Sequence, residues 1–142
     1  GEPAMGFPLE GFKLSAHVDV QQIKKQGRNV IGWLRAGDKP TAEAIVIGAH
    51  IDHLGKGEGG SSLANENERG GTHRGADDNA SGVAAMLEIA QSLADQVRRG
   101  ELKLKRDIMF AAWSGEELGL IGSSYFADEF YEIYPHYATT PT

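Results

Sequence analysis

Three short stretches of this 142-residue chain crowd carboxylates and imidazoles together: His50, Asp52 and His53 in HIDH, Asp77 and Asp78 in GADDN, and Glu116 and Glu117 in SGEEL. Imidazole nitrogens and carboxylate oxygens are the donors that zinc and its neighbours take, and the chain has no cysteine to offer a softer one. Residues two apart on an extended chain point to one side. Asp52 is therefore placed to accept a hydrogen bond from the second ring nitrogen of His50, which would set its tautomer and raise its basicity. Consecutive side chains diverge, so one glutamate of the Glu116–Glu117 pair can hold metal while the other faces an attacking water. Each stretch also has a plain structural reading. Asp77 and Asp78 suit a helix N-terminus as caps, Glu116 and Glu117 suit one as charge, and His50 alone reads as a histidine at a strand end. His53, His73 and His136 read as surface or supporting residues; the Tyr-Pro-His-Tyr context of His136 reads as a loop and disfavours it as a stand-in ligand. What favours metal chemistry is the conjunction of three clusters of one donor type.

The surrounding pattern shows how such clusters can meet. Residues 44–49 and 107–113 are apolar on both faces, as strands covered on both sides are. His50, Asp52 and His53 follow the first run, and Glu116 and Glu117 follow the second. Between them Val83, Met86, Leu87, Ala90, Leu93, Ala94 and Val97 recur at helical spacing. This predicts an amphipathic helix over residues 79–99, with Asp77 and Asp78 at its start and Gly100 closing it. A shorter helix is predicted after Glu117, weakened by Gly119 and Gly122. Two strands are predicted earlier, over residues 12–23 with Leu14, Ala16, Val18 and Val20 alternating, and over residues 29–35, the two forming an antiparallel pair. Strand, helix, strand, helix is the α/β class. Open α/β sheets bind ligands beyond the carboxyl ends of their strands, so the three clusters can converge there. Residues 1–11 read as a linker-like lead-in. Residues 54–76 read as a long glycine-rich loop, mostly a surface insertion.

Bulk properties exclude some partners. A net charge of -6 disfavours nucleic acid, which wants a basic surface. No apolar run reaches membrane-spanning length. The lack of cysteine excludes disulfides and leaves the compartment open. The start at Gly1, without Met, suggests a processed or excised piece.

GAHIDHLG, GADDNASGVA and SGEELGLIGS, in this order, resemble the M28 zinc aminopeptidases, relatives of the bacterial leucyl aminopeptidases and closest to members that carry a protease-associated domain. The resemblance implies a three-layer αβα sandwich with a mixed central sheet, of which residues 1–142 form a partial catalytic domain truncated at its C-terminus. It implies that Asp78 bridges two zinc ions, that His50 binds one and Glu117 the other, and that Asp77 is a neighbour only. Glu116 would be the general base and Asp52 the partner behind His50. The implied reaction removes N-terminal residues from a peptide substrate, Glu116 carrying a proton from water to the leaving amine. The family pattern has two further ligands, an Asp on a later strand and a His near the domain end. Only 25 residues follow Glu117, and neither segment is recognisable among them. The chain alone is therefore expected to be inactive or weakly active, and to expose sheet surface that invites self-association or the missing C-terminal segment. The alternative is a truncated, non-catalytic domain for binding or assembly. A calcium- or carbohydrate-binding loop is disfavoured, since no twelve-residue calcium pattern occurs. Carboxypeptidase or other amide hydrolysis stays open, as does side-chain preference. A secreted or periplasmic location is implied by the family alone.

Overall fold

A computed structural model describes residues 6, 10–22, 24–37, 42–57 and 65–138. Along the chain come strand β1 (Val30–Leu34), strand β2 (Ala44–His50), helix α1 (Gly82–Arg98), strand β3 (Asp107–Trp113), helix α2 (Ile121–Asp128) and the short helix α3 (Phe130–Ile133). The strands form one small mixed sheet in the order β1-β3-β2. β2 runs parallel to β3, in register from Ala44 opposite Asp107 to His50 opposite Trp113. β1 runs antiparallel to β3, from Val30 opposite Ala112 to Leu34 opposite Ile108. Parallel neighbours require a crossover, and α1 is that crossover.

Alternation along β3 sends its side chains to two faces, and each face has its own cluster. Ile108 and Phe110 pack on Met86 of α1, with Leu34, Ile47, Ala90 and Leu93 around them. Met109 packs on the other face against Phe126 of α2 and Tyr137, joined by Trp33, Trp113 and Phe130. Met109 and Ala111 are fully buried. The stripe predicted for α1 is thus real at Met86, Ala90 and Leu93, whereas Leu87 stays 60% exposed.

A carboxylate fastens the start of β3. Asp107 is fully buried. The Ala36 amide donates to its Oδ1 and the Tyr137 hydroxyl to its Oδ2, each at 2.7 Å. Arg35 lies 3.9 Å from Oδ2 and stacks over Trp33 at 4.0 Å. Burial, and then the hydrogen bond to Asp107 and its charge, push the Tyr137 phenol up to about 12.

Residues 12–22 form no strand, contrary to their alternation. Leu14 is 95% exposed, and Phe12, Val18 and Val20 are also exposed. Alternation specifies a face but holds it only against a partner. Among the described residues β1 pairs instead with β3, so the antiparallel partner is distant in sequence. Among the described residues β2 lies at the edge of the sheet rather than in its centre, with Ile45 and Val46 exposed. Its apolar residues on both faces call for cover, but they do not name a neighbour. Most of the lead-in expected over residues 1–11, and the middle of the glycine-rich loop, lie outside the described residues.

Candidate metal centre

The carboxyl ends of β2 and β3 lie side by side because the two strands are parallel and in register. That geometry brings the first and third clusters together. The second arrives from α1, whose start differs from the prediction. Residues Ala76–Ser81 make a wide turn, with non-helical dihedrals at Asp78 and Asn79, and regular helix begins only at Gly82. The cap is Asn79, whose Oδ1 accepts from the Gly82 amide at 3.1 Å. Ser81 Oγ donates back to the Asp77 carbonyl at 2.5 Å. The capping role suggested for Asp77 and Asp78 is therefore filled by their neighbour. The turn after β3 is held by Asn29, which accepts from the Ser114 amide at 3.1 Å and donates to the Gly122 carbonyl at 2.8 Å. The glycines expected to weaken the following helix serve this turn. Gly119 has φ +102, and Gly122 packs against the backbone of Ser114. Regular helix starts at Ile121 and breaks at Glu129.

His50, Asp78 and Glu117 each offer a donor atom within 4.8 Å of the others. His50 Nε2 lies 3.0 Å from Asp78 Oδ1 and 3.9 Å from Glu116 Oε2. The other nitrogen, Nδ1, lies 3.0 Å from the carbonyl oxygen of Asp52. A carbonyl only accepts, so Nδ1 carries the proton there. Nε2, at the opposite end of the ring, faces the Asp78 carboxylate. An imidazole nitrogen and a carboxylate oxygen held this close are both donors that zinc and its neighbours take. Donors about 2.0–2.2 Å from a tetrahedral zinc stand ~3.3–3.6 Å apart, between the 3.0 Å of the His50–Asp78 pair and the 4.8 Å that bounds all three donors. The residue types and their spacing fit a divalent ion.

Asp52 departs from its expected contact. Its carboxylate is 3.9 Å from His50 Nδ1, too far for a hydrogen bond. Its backbone carbonyl binds the ring instead, 3.0 Å from Nδ1. The carboxylate accepts the amides of Glu116 at 3.2 Å and Glu117 at 3.4 Å. Asp52 thus joins the end of β2 to the end of β3.

His53 is the residue that sequence reasoning undervalued. Its Nδ1 is 2.7 Å from Glu117 Oε1. Its ring meets that of His73 edge-on, centroids 6.2 Å apart, where His73 pairs with Gly55 and closes the base of the glycine-rich loop. The signal was present as a second imidazole one residue after Asp52, but nothing local tied it to a glutamate 64 positions away. His136 lies elsewhere, stacked on Trp33 with centroids 5.7 Å apart. Asp78 is the most open donor and His50 the most enclosed, at 66% and 11% side-chain exposure. A cleft of about 760 Å³ adjoins the site and includes Asp52, His53 and Glu117 in its wall.

Residues 29–139 match Peptidase family M28, and the chain belongs to that family, which is generally zinc-dependent. The chain is 34% identical over 128 residues to the Glutamate carboxypeptidase 2 homolog of Caenorhabditis elegans, covering 90% of this chain and 14% of that protein. It is 44% identical over 129 residues to Aminopeptidase NAALADL1 of Mus musculus, covering 91% of this chain and 15% of that protein. It is 32% identical over 131 residues to the Probable lipoprotein aminopeptidase LpqL of Mycobacterium tuberculosis (strain ATCC 25618 / H37Rv), covering 88% of this chain and 21% of that protein. The chain thus spans 14% to 21% of the length of these relatives. No solved structure matches it. No helix among the described residues is long and apolar enough to cross a membrane.

Proposed function

We propose that this chain contributes part of the active site of a zinc-dependent peptidase that releases N-terminal residues from peptides. The observation that carries this reading is the convergence of His50, Asp78 and Glu117, with His50 Nε2 3.0 Å from Asp78 Oδ1 while Nδ1 is committed to a carbonyl. In this reading His50, Asp78 and Glu117 would hold the metal. A catalytic zinc commonly takes three protein ligands. When bound, zinc supplies Lewis acidity at the scissile carbonyl and makes water easier to deprotonate. Glu116 takes a proton from water as the water oxygen bonds to the carbonyl carbon. It returns that proton to the amine nitrogen as the C–N bond breaks. Asp52 holds the backbone beneath both glutamates. Ile31, Leu118, Ile121 and Tyr125 line the adjoining cleft, which suits an apolar substrate side chain. The helices on either side of the small sheet are in keeping with one portion of a larger three-layer αβα domain.

Substituting Glu116→Gln in the intact protein is the test. Metal content should be retained, while the rate falls by roughly 10²–10⁴-fold, the range for loss of a general base. Loss of metal together with rate would make Glu116 a ligand and overturn the assignment. The names of the relatives divide between aminopeptidase and carboxypeptidase, which keeps carboxypeptidase activity as the second reading. Peptides blocked at one end or the other separate the two. Cleavage that survives N-terminal blocking would favour the carboxypeptidase.

A further inference from the structure

The proposed reaction makes no use of His53, yet this imidazole sits at the junction of all three clusters. It leaves the end of β2 one residue after Asp52, and its Nδ1 lies 2.7 Å from Glu117 Oε1. Gly75, just before the Asp77–Asp78 turn, has φ +62, and a Cβ there would sit 2.9 Å from the Cβ and Cγ of His53 and 2.7 Å from the Asp78 carbonyl oxygen. Only a residue without a side chain allows that approach. Asp52 and His53 line both the large cleft and a smaller cavity of about 200 Å³ beside Gly75 and Asn79. His53 therefore stands as a partition between two spaces, wedged between the loop before α1 and the turn after β3. It is only about one-fifth exposed, as is Glu117.

We propose that His53 is a positioning residue that braces Glu117, holding one carboxylate oxygen so that the other is presented to the metal. The proposal rests on the reading of Glu117 as a metal ligand. A carboxylate only accepts, so the proton of this hydrogen bond is carried by Nδ1. A carboxylate has acceptor capacity on both oxygens, and one hydrogen bond leaves the second oxygen available. Glutamate has three rotatable bonds, and freezing them upon metal binding carries an entropic cost. The brace freezes them beforehand. Two consecutive residues act on the same glutamate. Asp52 accepts the Glu117 amide, and His53 donates to its carboxylate. The pair thereby transmits the position of the β2 end to both the backbone and the side chain of one ligand. A donor behind a ligating carboxylate typically governs metal affinity by 10–100-fold.

Zinc titration calorimetry on the intact protein tests the brace. Asparagine places its Nδ2 where histidine places Nδ1, so His53→Asn retains the donor and His53→Leu removes it. The expected result is a 10–100-fold weaker zinc Kd for His53→Leu and a Kd within about threefold of the parent for His53→Asn. Equal losses in both variants would assign the effect to packing and overturn the proposal. Tighter zinc binding by His53→Leu would mean that His53 competes with metal for Glu117, which also overturns it. His53→Gln moves the donor by one bond, and its affinity must fall below that of His53→Asn even if His53→Leu does not fold. His50→Ala is the reference. If it leaves zinc binding unchanged, the metal reading itself fails. If it abolishes binding while His53→Leu matches the parent, only the brace fails.

Discussion

Replacing Asp52 by asparagine should loosen the joint between the ends of β2 and β3 without touching a metal donor. The Asp52 carboxylate accepts two backbone amides, from Glu116 at 3.2 Å and Glu117 at 3.4 Å. Hydrogen bonds to charged groups contribute ~1.5–3 kcal/mol each when short and well enclosed. Both bonds are long and the carboxylate is 27% exposed, so about 1 kcal/mol each is the reasonable magnitude. An asparagine side chain would keep one acceptor oxygen and turn an NH₂ group towards the other amide, two donors face to face. The loss should be about 1–2 kcal/mol for Asp52→Asn and about 2 kcal/mol for Asp52→Ala. Metal-free urea unfolding of the three proteins measures this. The His50 ring should keep its tautomer in both variants, because the backbone carbonyl at position 52 remains. Zinc affinity should nevertheless drop by roughly 10–100-fold, since Glu117 is displaced with its backbone. If both variants unfold within about 0.5 kcal/mol of the parent and bind zinc equally well, the carboxylate does not hold this turn and the reasoning is refuted.

Other outcomes follow from the same contacts. Tyr137 is raised from 10.0 to about 12, so its contribution to stability is fully present below pH 10 and is lost as pH rises towards 12. That loss amounts to about 2–3 kcal/mol, and unfolding followed from about pH 8 to about pH 11.5 should show it in the parent and not in Tyr137→Phe. Gly122→Ala would drive a methyl group into the backbone of Ser114 and the side chain of Asn29, at a cost of about 1–3 kcal/mol or more, readable as a lower melting temperature. Met109→Ala empties a fully buried position of the central strand and should cost about 2–5 kcal/mol, whereas Leu14→Ala, at a 95% exposed position, should be nearly silent in the same melt. In isolation the 142-residue chain should associate through the sheet edges left unpaired among the described residues; light scattering that gives only monomer at high concentration would contradict this.

Residue type and periodicity determined much of this protein. Three carboxylate and imidazole clusters, each beside an apolar run, predicted a site at the strand ends. The spacing of Met86, Ala90 and Leu93 marked the buried side of α1, because helical period is a property of the local chain. The apolar run of β3 marked a strand covered on both faces for the same reason. The tertiary structure decided whatever depends on partners. The alternation of residues 12–22 could not say whether an edge was there to receive it, and β2 could not say that it would lie outside β3. Asp52 was legible as important but not as the acceptor of two amides 64 and 65 positions away, since that bond exists only once β2 and β3 are side by side. His53 was not legible as the partner of Glu117 on the same ground. A hydrogen bond between distant residues has no period and no spacing; it is set by the parallel register of two strands and by a glycine that lets a third segment approach.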